Sequence, residues 1–220
     1  MKKMLMMVAM AVCCMAANAQ NEVGQLTLQP KVGFNVASLT GDLQQKKNDA
    51  NMKLGFVIGA EAEYGISQNF SLPAGVLYSM QGCAFGEYKV LANNSMGITQ
   101  DSGWDKNQYN LAYLNIPIVA NFYVAPGLAI KAGVQPGFLL SAKNKVDGFG
   151  LYESGNVDMK KEMNSFDLSI PLGLSYETEH VVIDGRYNLG LTKVNKESGA
   201  DIVDTKNSVI QVTIGYKFAL

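Results

Sequence analysis

Charged side chains are scarce in this sequence: they make up 17% of its 220 residues, against about 25% in ordinary soluble domains. The 18 basic and 19 acidic residues nearly balance, so no excess of positive charge indicates a nucleic acid or another polyanion as a partner. Beyond the N-terminal segment, no apolar run reaches the roughly 18 residues that a transmembrane helix needs. The sequence therefore predicts neither a nucleic-acid-binding protein nor a helical membrane protein.

The N-terminal residues 1–19 have the pattern of a secretory signal peptide. Two lysines precede an apolar stretch, and Ala17-Asn18-Ala19 fits the A-x-A cleavage pattern. Cleavage after Ala19 predicts a mature domain of residues 20–220 with 16 basic and 19 acidic residues, a formal net charge of −3. The protein is therefore expected to be exported.

Cysteine and histidine are almost absent from the predicted mature domain. Removal of the signal peptide leaves Cys83 alone, which excludes an internal disulfide. The single histidine, His180, lies at a predicted turn near Glu179 and Asp184 and offers the only candidate base or imidazole ligand. A lone turn histidine is usually only solvated, and no Ser/His/Asp set has a suitable spacing. The sequence predicts no catalytic, cofactor-binding or metal-binding residue, and hence no enzyme and no cofactor.

The sequence is rich in segments in which apolar residues alternate with small or polar residues. In eight segments of about ten residues, every second residue is apolar and its neighbours are mostly small or polar, which is typical of β-strands. The segments are residues 26–37, 54–64, 70–81, 113–124, 128–140, 166–177, 181–191 and 208–220. The sequence therefore predicts an all-β fold with eight strands.

The predicted connections alternate between short and long. Tight turns are expected near Ser67, Pro126 and Thr178, and the long connections are residues 40–52, 82–108, 142–164 and 194–207. This order predicts an eight-stranded, antiparallel, up-and-down transmembrane β-barrel, in which the short turns are periplasmic and the long loops extracellular.

The composition of the polar face predicts which face looks outward. A soluble, lipocalin-like barrel turns its apolar face inward around a ligand, but its outer face normally carries many more lysines and glutamates than this one. The charges on the polar face nearly balance, so they can pair in a barrel interior. These predicted interior residues are Lys31, Glu61, Glu63, Lys131, Asp167, Glu177, Asp184, Arg186 and Lys217. The apolar face is expected to meet lipid, and the interior charges either form a packed, salt-bridged core or line a narrow ion path.

Five prolines conflict with this strand pattern, because proline cannot donate a hydrogen bond to a β-ladder. They are Pro30, Pro73, Pro117, Pro136 and Pro171. A closed barrel has no edge strand to accommodate them. The sequence predicts that they lie at β-bulges or at strand starts.

The long connection at 82–108 contains the stretch DSGWD. Asp101 and Asp105 offer carboxylates to a cation, but calcium prefers a denser cluster of oxygens, which favours a solvated loop. Trp104 is either a contact anchor for a partner or a rim aromatic that packs on its own barrel.

Several stretches resemble the PorT-like outer-membrane β-barrel family of Bacteroidota, small relatives of the OmpA/OmpX-type barrels. They are KVGFNVASLTGD, YLNIPIVANFYV, FDLSIPLGLSYE, VIDGRYNLGLTKV and the terminal VIQVTIGYKF. The resemblance covers residues 20–220 and implies insertion by the outer-membrane assembly machinery, which reads an aromatic-rich last strand. Gly215, Tyr216 and Phe218 match that signal, although two further residues follow Phe218.

Function is less determined than fold. We expect a non-enzymatic outer-membrane barrel that contacts lipid and presents surface loops to protein partners. Two alternatives stay open: a component of a secretion or envelope-assembly system, which the namesake of the family implies, and a narrow porin-like channel.

Overall fold

The computed structural model of the chain describes residues 23–41, 50–86, 88–93, 99–151, 153–196 and 204–220. These residues form β-strands joined by turns, and among them no helix is long and apolar enough to cross a membrane. The strands are β1 (Leu26–Gly41), β2 (Ala50–Ser67), β3 (Phe70–Phe85), β4 (Tyr88–Asn93), β5 (Thr99–Asn115), β6 (Ile118–Ala125), β7 (Leu128–Phe149), β8 (Gly155–Asp158), β9 (Phe166–Glu177), β10 (Val181–Gly190), β11 (Thr205–Tyr216) and β12 (Phe218–Ala219). The predicted signal peptide lies outside the described residues.

Antiparallel pairing closes the strands into a ring of eight. Each barrel strand pairs with its neighbour along the chain, and β5 and β6 together make the fourth strand of the ring. The ring closes where β1 pairs with β11, from Lys31 opposite Gly215 to Gly41 opposite Thr205, and with β12. The predicted eight-stranded, up-and-down barrel is confirmed.

The three tight turns lie at one end of the barrel, which we call the short-turn end; the opposite end is the long-loop end. The turn between β6 and β7 is Pro126-Gly127, where Gly127 has φ of +74°. A proline followed by a glycine of positive φ suits a type II turn. The chain runs from these turns up one strand and back down the next.

Two of the predicted long loops contain paired strands. β4 pairs with β5 within the predicted loop 82–108, and β7 continues to Phe149 and pairs with β8 within the predicted loop 142–164. The sequence predicts loops there because these residues lack an apolar alternation, and the observed strand pairing shows that this prediction is wrong. β7 has 22 residues, whereas crossing a bilayer takes about 9–11. The additional residues have no need of an apolar outer face, so the sequence pattern that marks a membrane strand is missing.

The prolines lie opposite interruptions of the β-ladder. The pairing of β1 stops opposite Pro30 between β11 and β12, and Pro117 lies in the gap between β5 and β6. Pro136 of β7 lies opposite that same gap, Pro73 lies where pairs are missing between β3 and β6, and Pro171 lies where pairs are missing between β7 and β9. The register is unshifted across each gap, so the predicted bulges are wrong; only the expectation of a strand end at Pro117 holds. Because no ladder hydrogen bond forms at these gaps, the backbone N–H that proline lacks is not needed there.

Exposed fractions identify the two faces of the wall. Outward residues such as Phe34 (65% exposed) and Val212 (52% exposed) are large and apolar. Inward neighbours such as Asn35 and Gln211 are buried. An apolar outer surface of this extent suits lipid rather than water, which confirms the predicted orientation of the faces.

Candidate functional site: the lumen

The middle of the lumen holds a cluster of five charged side chains, which we call the central cluster: Lys31, Glu61, Lys131, Asp184 and Arg186. Arg186 contacts both carboxylates, with its Nε 2.7 Å from Asp184 Oδ1 and its second terminal nitrogen 2.9 Å from Glu61 Oε2. Lys31 Nζ lies 2.6 Å from Glu61, and Lys131 Nζ lies 2.5 Å from Asp184. All five residues are nearly fully buried. Every charge therefore faces an opposite charge, as burial in a low-dielectric interior requires.

A second cluster lies nearer the short-turn end, which we call the carboxyl pair cluster: Glu63, Glu177, Lys217 and Tyr123. Lys217 Nζ lies 3.0 Å from Glu63 Oε2 and 2.6 Å from Glu177 Oε2. The Tyr123 hydroxyl oxygen lies 2.8 Å from Glu63 Oε1 and 2.9 Å from Glu177 Oε1. Two carboxyl groups thus share one ammonium and one phenol.

Asp167 is inward-facing and buried but belongs to neither cluster. Its carboxylate accepts a hydrogen bond of 2.8 Å from the Thr192 hydroxyl. Thr192 follows β10, so this contact ties the start of β9 to the chain beyond β10. The structure therefore brings eight of the nine predicted interior charges into the two clusters and leaves Asp167 apart from them.

Amide and hydroxyl groups occupy the layer above the central cluster. Asn35 donates to Ser79 Oγ at 2.7 Å and to the Met80 carbonyl at 3.2 Å. Gln135 donates to Ser169 Oγ at 3.3 Å. Each of the two amides lies four residues along its strand from a lysine of the central cluster. This layer separates the ions from the long-loop end.

The long-loop end of the lumen is filled by apolar side chains, which we call the apolar plug. Its buried members are Leu39, Cys83, Leu111, Tyr113, Leu139, Ala142, Met163 and Val194. Phe85, Tyr109 and Met159 pack against them. Cys83 is fully buried in the plug and acts as a small filler there.

Two connecting segments close the plug from above. Met163 comes from the segment between β8 and β9, and Val194 from the segment after β10. The Asn164 side chain joins them, since its amide donates to the Lys193 carbonyl at 2.8 Å and to the Asn195 carbonyl at 3.1 Å. A backbone bond of 2.8 Å from Asn164 N to the Val194 carbonyl adds to this link. The connections here form a lid over the lumen.

Sequence reasoning missed the apolar plug. A signal for it was present, because Leu39, Tyr113 and Leu139 occupy inward positions on the otherwise polar face. Met163 and Val194 lie outside the alternating segments, so the pattern held no information about their positions.

The residues of the predicted assembly signal lie at the closing strand. Tyr216 and Phe218 point outward with ring centroids 4.7 Å apart, and His180 stacks on Tyr216 at 5.3 Å. Gly215 faces inward against Gln29, whose amide would lie 2.8 Å from an added Cβ. His180 therefore belongs to an aromatic group at the short-turn rim.

Asp101, Trp104 and Asp105 lie in strand β5 rather than in an irregular loop. The backbone of Asp101 pairs with β4 and that of Trp104 with β4 and β7, whereas Asp105 lies at the register shift between Trp104 and Lys106 and is exposed. In the part of the chain that the structure describes, no three His, Cys, Asp or Glu residues are grouped so as to hold a metal ion.

Comparison with known proteins identifies the family. The family model described as "Outer membrane protein beta-barrel domain" matches residues 18–196. No curated protein matches the chain.

Among solved structures, Ail, the attachment invasion locus protein of Yersinia pestis, is 15% identical, with 90% of this chain and 100% of that chain covered and a TM-score of 0.44. Neisserial surface protein A is 17% identical, with 88% and 97% covered and a TM-score of 0.48. OprG of Pseudomonas aeruginosa is 14% identical, with 92% and 99% covered and a TM-score of 0.42. Because the family model matches most of its length, the chain belongs to the outer membrane protein β-barrel domain family.

Proposed function

We propose that this protein is a non-enzymatic outer-membrane barrel with a sealed lumen that presents an extended, membrane-external sheet to protein partners. One observation carries the proposal: the apolar plug fills the long-loop end of the lumen while β5 and β7 stay paired as far as Gly103 and Phe149. The lumen is thus closed at its long-loop end, whereas β5 and β7 of the barrel wall continue as paired strands beyond it.

The extended part of the wall consists of β4, β8 and the ends of β5 and β7, and we call it the extracellular sheet. Its outward positions on β7 are polar, with Lys143 and Lys145 exposed. Beside Lys145, Asp147 forms an exposed ion pair with an N–O distance of 3.5 Å. A polar sheet anchored on a rigid barrel is a suitable surface for contacts with proteins or with the medium.

The extracellular sheet can be tested by site-specific photo-crosslinking in cells. A crosslinker at Lys143 should give protein adducts, because this position faces the medium. A crosslinker at Val212, which faces lipid in the barrel wall, is the matched control and should give none. Absence of adducts from Lys143 and from further positions of the extracellular sheet would contradict an interaction role.

The sealed lumen can be tested by planar-bilayer conductance of the mature protein, first shown to be folded by its heat-modifiable gel shift. The ion pairs of the central cluster and the apolar plug both support a silent bilayer. Steady, reproducible channels would overturn the proposal in favour of a narrow pore lined by Lys31, Glu61, Lys131 and Arg186.

Membership of the PorT-like group rests on the sequence resemblance. With the lumen sealed, a part in secretion would act through contacts of the extracellular sheet or the short turns rather than through passage of substrate. Loss of secreted proteins from a deletion strain, restored by the intact gene, would favour that alternative, and unchanged secretion would exclude it.

The proposed route to the membrane is cleavage after Ala19 followed by recognition of Gly215, Tyr216 and Phe218 by the assembly machinery. Replacing Tyr216 and Phe218 with alanine should lower the amount of heat-modifiable protein in the outer membrane. Phe34→Ala removes an outward aromatic ring from the first strand and is the control. Equal amounts of folded protein in both variants would contradict the role of the last strand.

A further inference from the structure

Met163 is a member of the apolar plug that no barrel strand holds in place. Its side chain is buried in the plug, 7% exposed, but it comes from the segment between β8 and β9. Its backbone forms an isolated bridge with Asn195. The plug members Leu39, Leu111 and Leu139 lie on barrel strands instead, so they cannot leave the lumen while the wall stays paired. Met163 leaves the plug whenever the lid alone moves.

The hydrogen bonds that hold the lid next to Met163 lie at the surface. Lys196 N donates to the Glu162 carbonyl and Glu162 N donates to the Met159 carbonyl, each at 3.0 Å. Lys196 Nζ donates to the Lys161 carbonyl at 2.8 Å, and this bond is exposed. Segments with exposed hydrogen bonds open locally, without unfolding of the whole protein. Local opening of the lid therefore brings the Met163 sulfur into contact with the medium.

The thioether sulfur of Met163 can undergo a change of polarity that an aliphatic side chain cannot. A peroxide transfers one oxygen atom to the sulfur: the S–O bond forms as the O–O bond breaks, and the hydrogen of the transferred oxygen passes to the departing one. The sulfur is oxidised by two electrons and the peroxide is reduced to water or an alcohol. The sulfoxide is polar, and the plug leucines offer it no hydrogen-bond donor. Closing the lid over it buries an acceptor without a partner, which is costly.

The other methionines that the structure describes do not put sulfur inside the plug. Met163 alone among them is buried, whereas Met52 is 70% exposed and Met80 is half-buried in the barrel wall. Met159 packs against the edge of the plug and is only partly buried. Oxidation of Met163 is thus the one that places a polar group among the plug side chains.

We propose that Met163 is an oxidation-sensitive latch of the lid: the thioether keeps the lid closed over the plug, and the sulfoxide that peroxide forms holds it open. This latch rests on the proposed function in one respect, because the long-loop end must be the extracellular side that meets the oxidant. Opening exposes the apolar plug beside the extracellular sheet, and so changes the surface that the protein offers to its partners.

Cys83 reports the position of the lid, because it is the one cysteine of the predicted mature domain and is fully buried in the plug. The mature protein, refolded in lipid vesicles, is treated with hydrogen peroxide, freed of it and given a maleimide. Mass spectrometry then reads the oxygen on Met163 and the label on Cys83. Protein oxidised at Met163 should be labelled about tenfold faster than untreated protein, because an unpartnered buried acceptor shifts the opening equilibrium by that order.

Met163→Leu is the matched variant, since it keeps an apolar side chain of similar size and has no sulfur. It should be labelled slowly both before and after peroxide. Met159→Leu removes the neighbouring sulfur but keeps the latch, and it should respond to peroxide as wild type does. Met163→Gln puts a polar group into the plug without any oxidant and should be labelled fast from the start. If this variant does not fold, the comparison of wild type with Met163→Leu still decides.

Equal labelling of peroxide-treated wild type and peroxide-treated Met163→Leu would refute the latch. Conductance separates that result from a failure of the proposed function. Channels in the untreated protein contradict the sealed lumen, whereas a silent bilayer together with equal labelling contradicts the latch alone.

Discussion

The two ends of the lumen are built from different chemistry although β1 and β7 supply side chains to both. Toward the short turns, Arg186, Asp184 and their partners form buried ion pairs. Toward the long loops, Leu111, Tyr113 and Met163 form an apolar plug. A position that faces the lumen can therefore hold either a charged or an apolar side chain. The tight turns join directly paired strands, so that charges of different strands lie opposite one another, whereas the other end is closed by connecting segments that pack through apolar contact.

The difference predicts two responses to mutation. A buried ion network depends on each member, because removing one member deprives its buried partners of charge-assisted hydrogen bonds that no water replaces. An apolar plug loses stability by degrees, according to the volume removed and how far the site relaxes.

The largest effect is expected for Arg186→Met. It removes the guanidinium that contacts both Glu61 and Asp184, and leaves a cluster of two lysines against two carboxylates without its bidentate bonds. The free energy of unfolding in lipid vesicles should fall by about 3–5 kcal/mol, as measured by denaturant titration. Lys145→Met breaks a half-exposed ion pair with Asp147 and should cost about 0–1 kcal/mol. Similar losses from both variants would show that the network does not act as a unit.

A smaller effect is expected for Leu111→Ala in the apolar plug. Leu111 is 1% exposed, so truncation leaves a cavity and should lower the free energy of unfolding by about 3 kcal/mol. Leu172→Ala removes the same atoms from the outer face, where lipid chains fill the space, and should cost clearly less. If the two losses were equal, the plug would not be close-packed.

The smallest effect is expected for Asn164→Ala in the lid over the plug. It removes two side-chain hydrogen bonds, to the carbonyls of Lys193 and Asn195, and should cost about 1–2 kcal/mol. The lid should also open more often, so peroxide should oxidise Met163 faster than in wild type. Asn156→Ala in exposed strand β8 is the control and should leave that rate unchanged. An unaltered rate in Asn164→Ala would place the closure of the lumen in the plug rather than in the lid.

Much of the fold was predictable because lipid imposes a simple rule on the strands. Within the membrane every outward residue must be apolar, so alternation in segments such as 208–220 marks both the strand and its faces. The rule ends where the wall leaves the membrane, which is why the paired strands around Thr99–Asp105 and Lys143–Phe149 were assigned to loops. The positions of the ladder gaps opposite Pro73, Pro117 and Pro136 depend on register, which no single segment contains.

The candidate site was only partly visible in the sequence. The alternation of inward and outward positions along each strand predicts the inward charges, among them Glu63, Glu177 and Lys217. It does not predict their division into two clusters. Lys31 and Asp184 are 153 positions apart and lie 3.4 Å from each other, because the ring closes between β1 and β11. The apolar plug was missed because two of its members come from connections whose path follows no periodic pattern.

The sequence by itself determined that this chain has eight strands, because period-two alternation is a local property that each strand carries alone. The order of short and long connections indicated the barrel, and the small, charge-balanced polar face indicated that the apolar face looks outward. Only the tertiary structure decided which inward side chains meet, where the lumen is closed and how far the wall extends. Those features depend on the register between strands and on the closure of the ring, and a contact between residues far apart in the chain has no local signature.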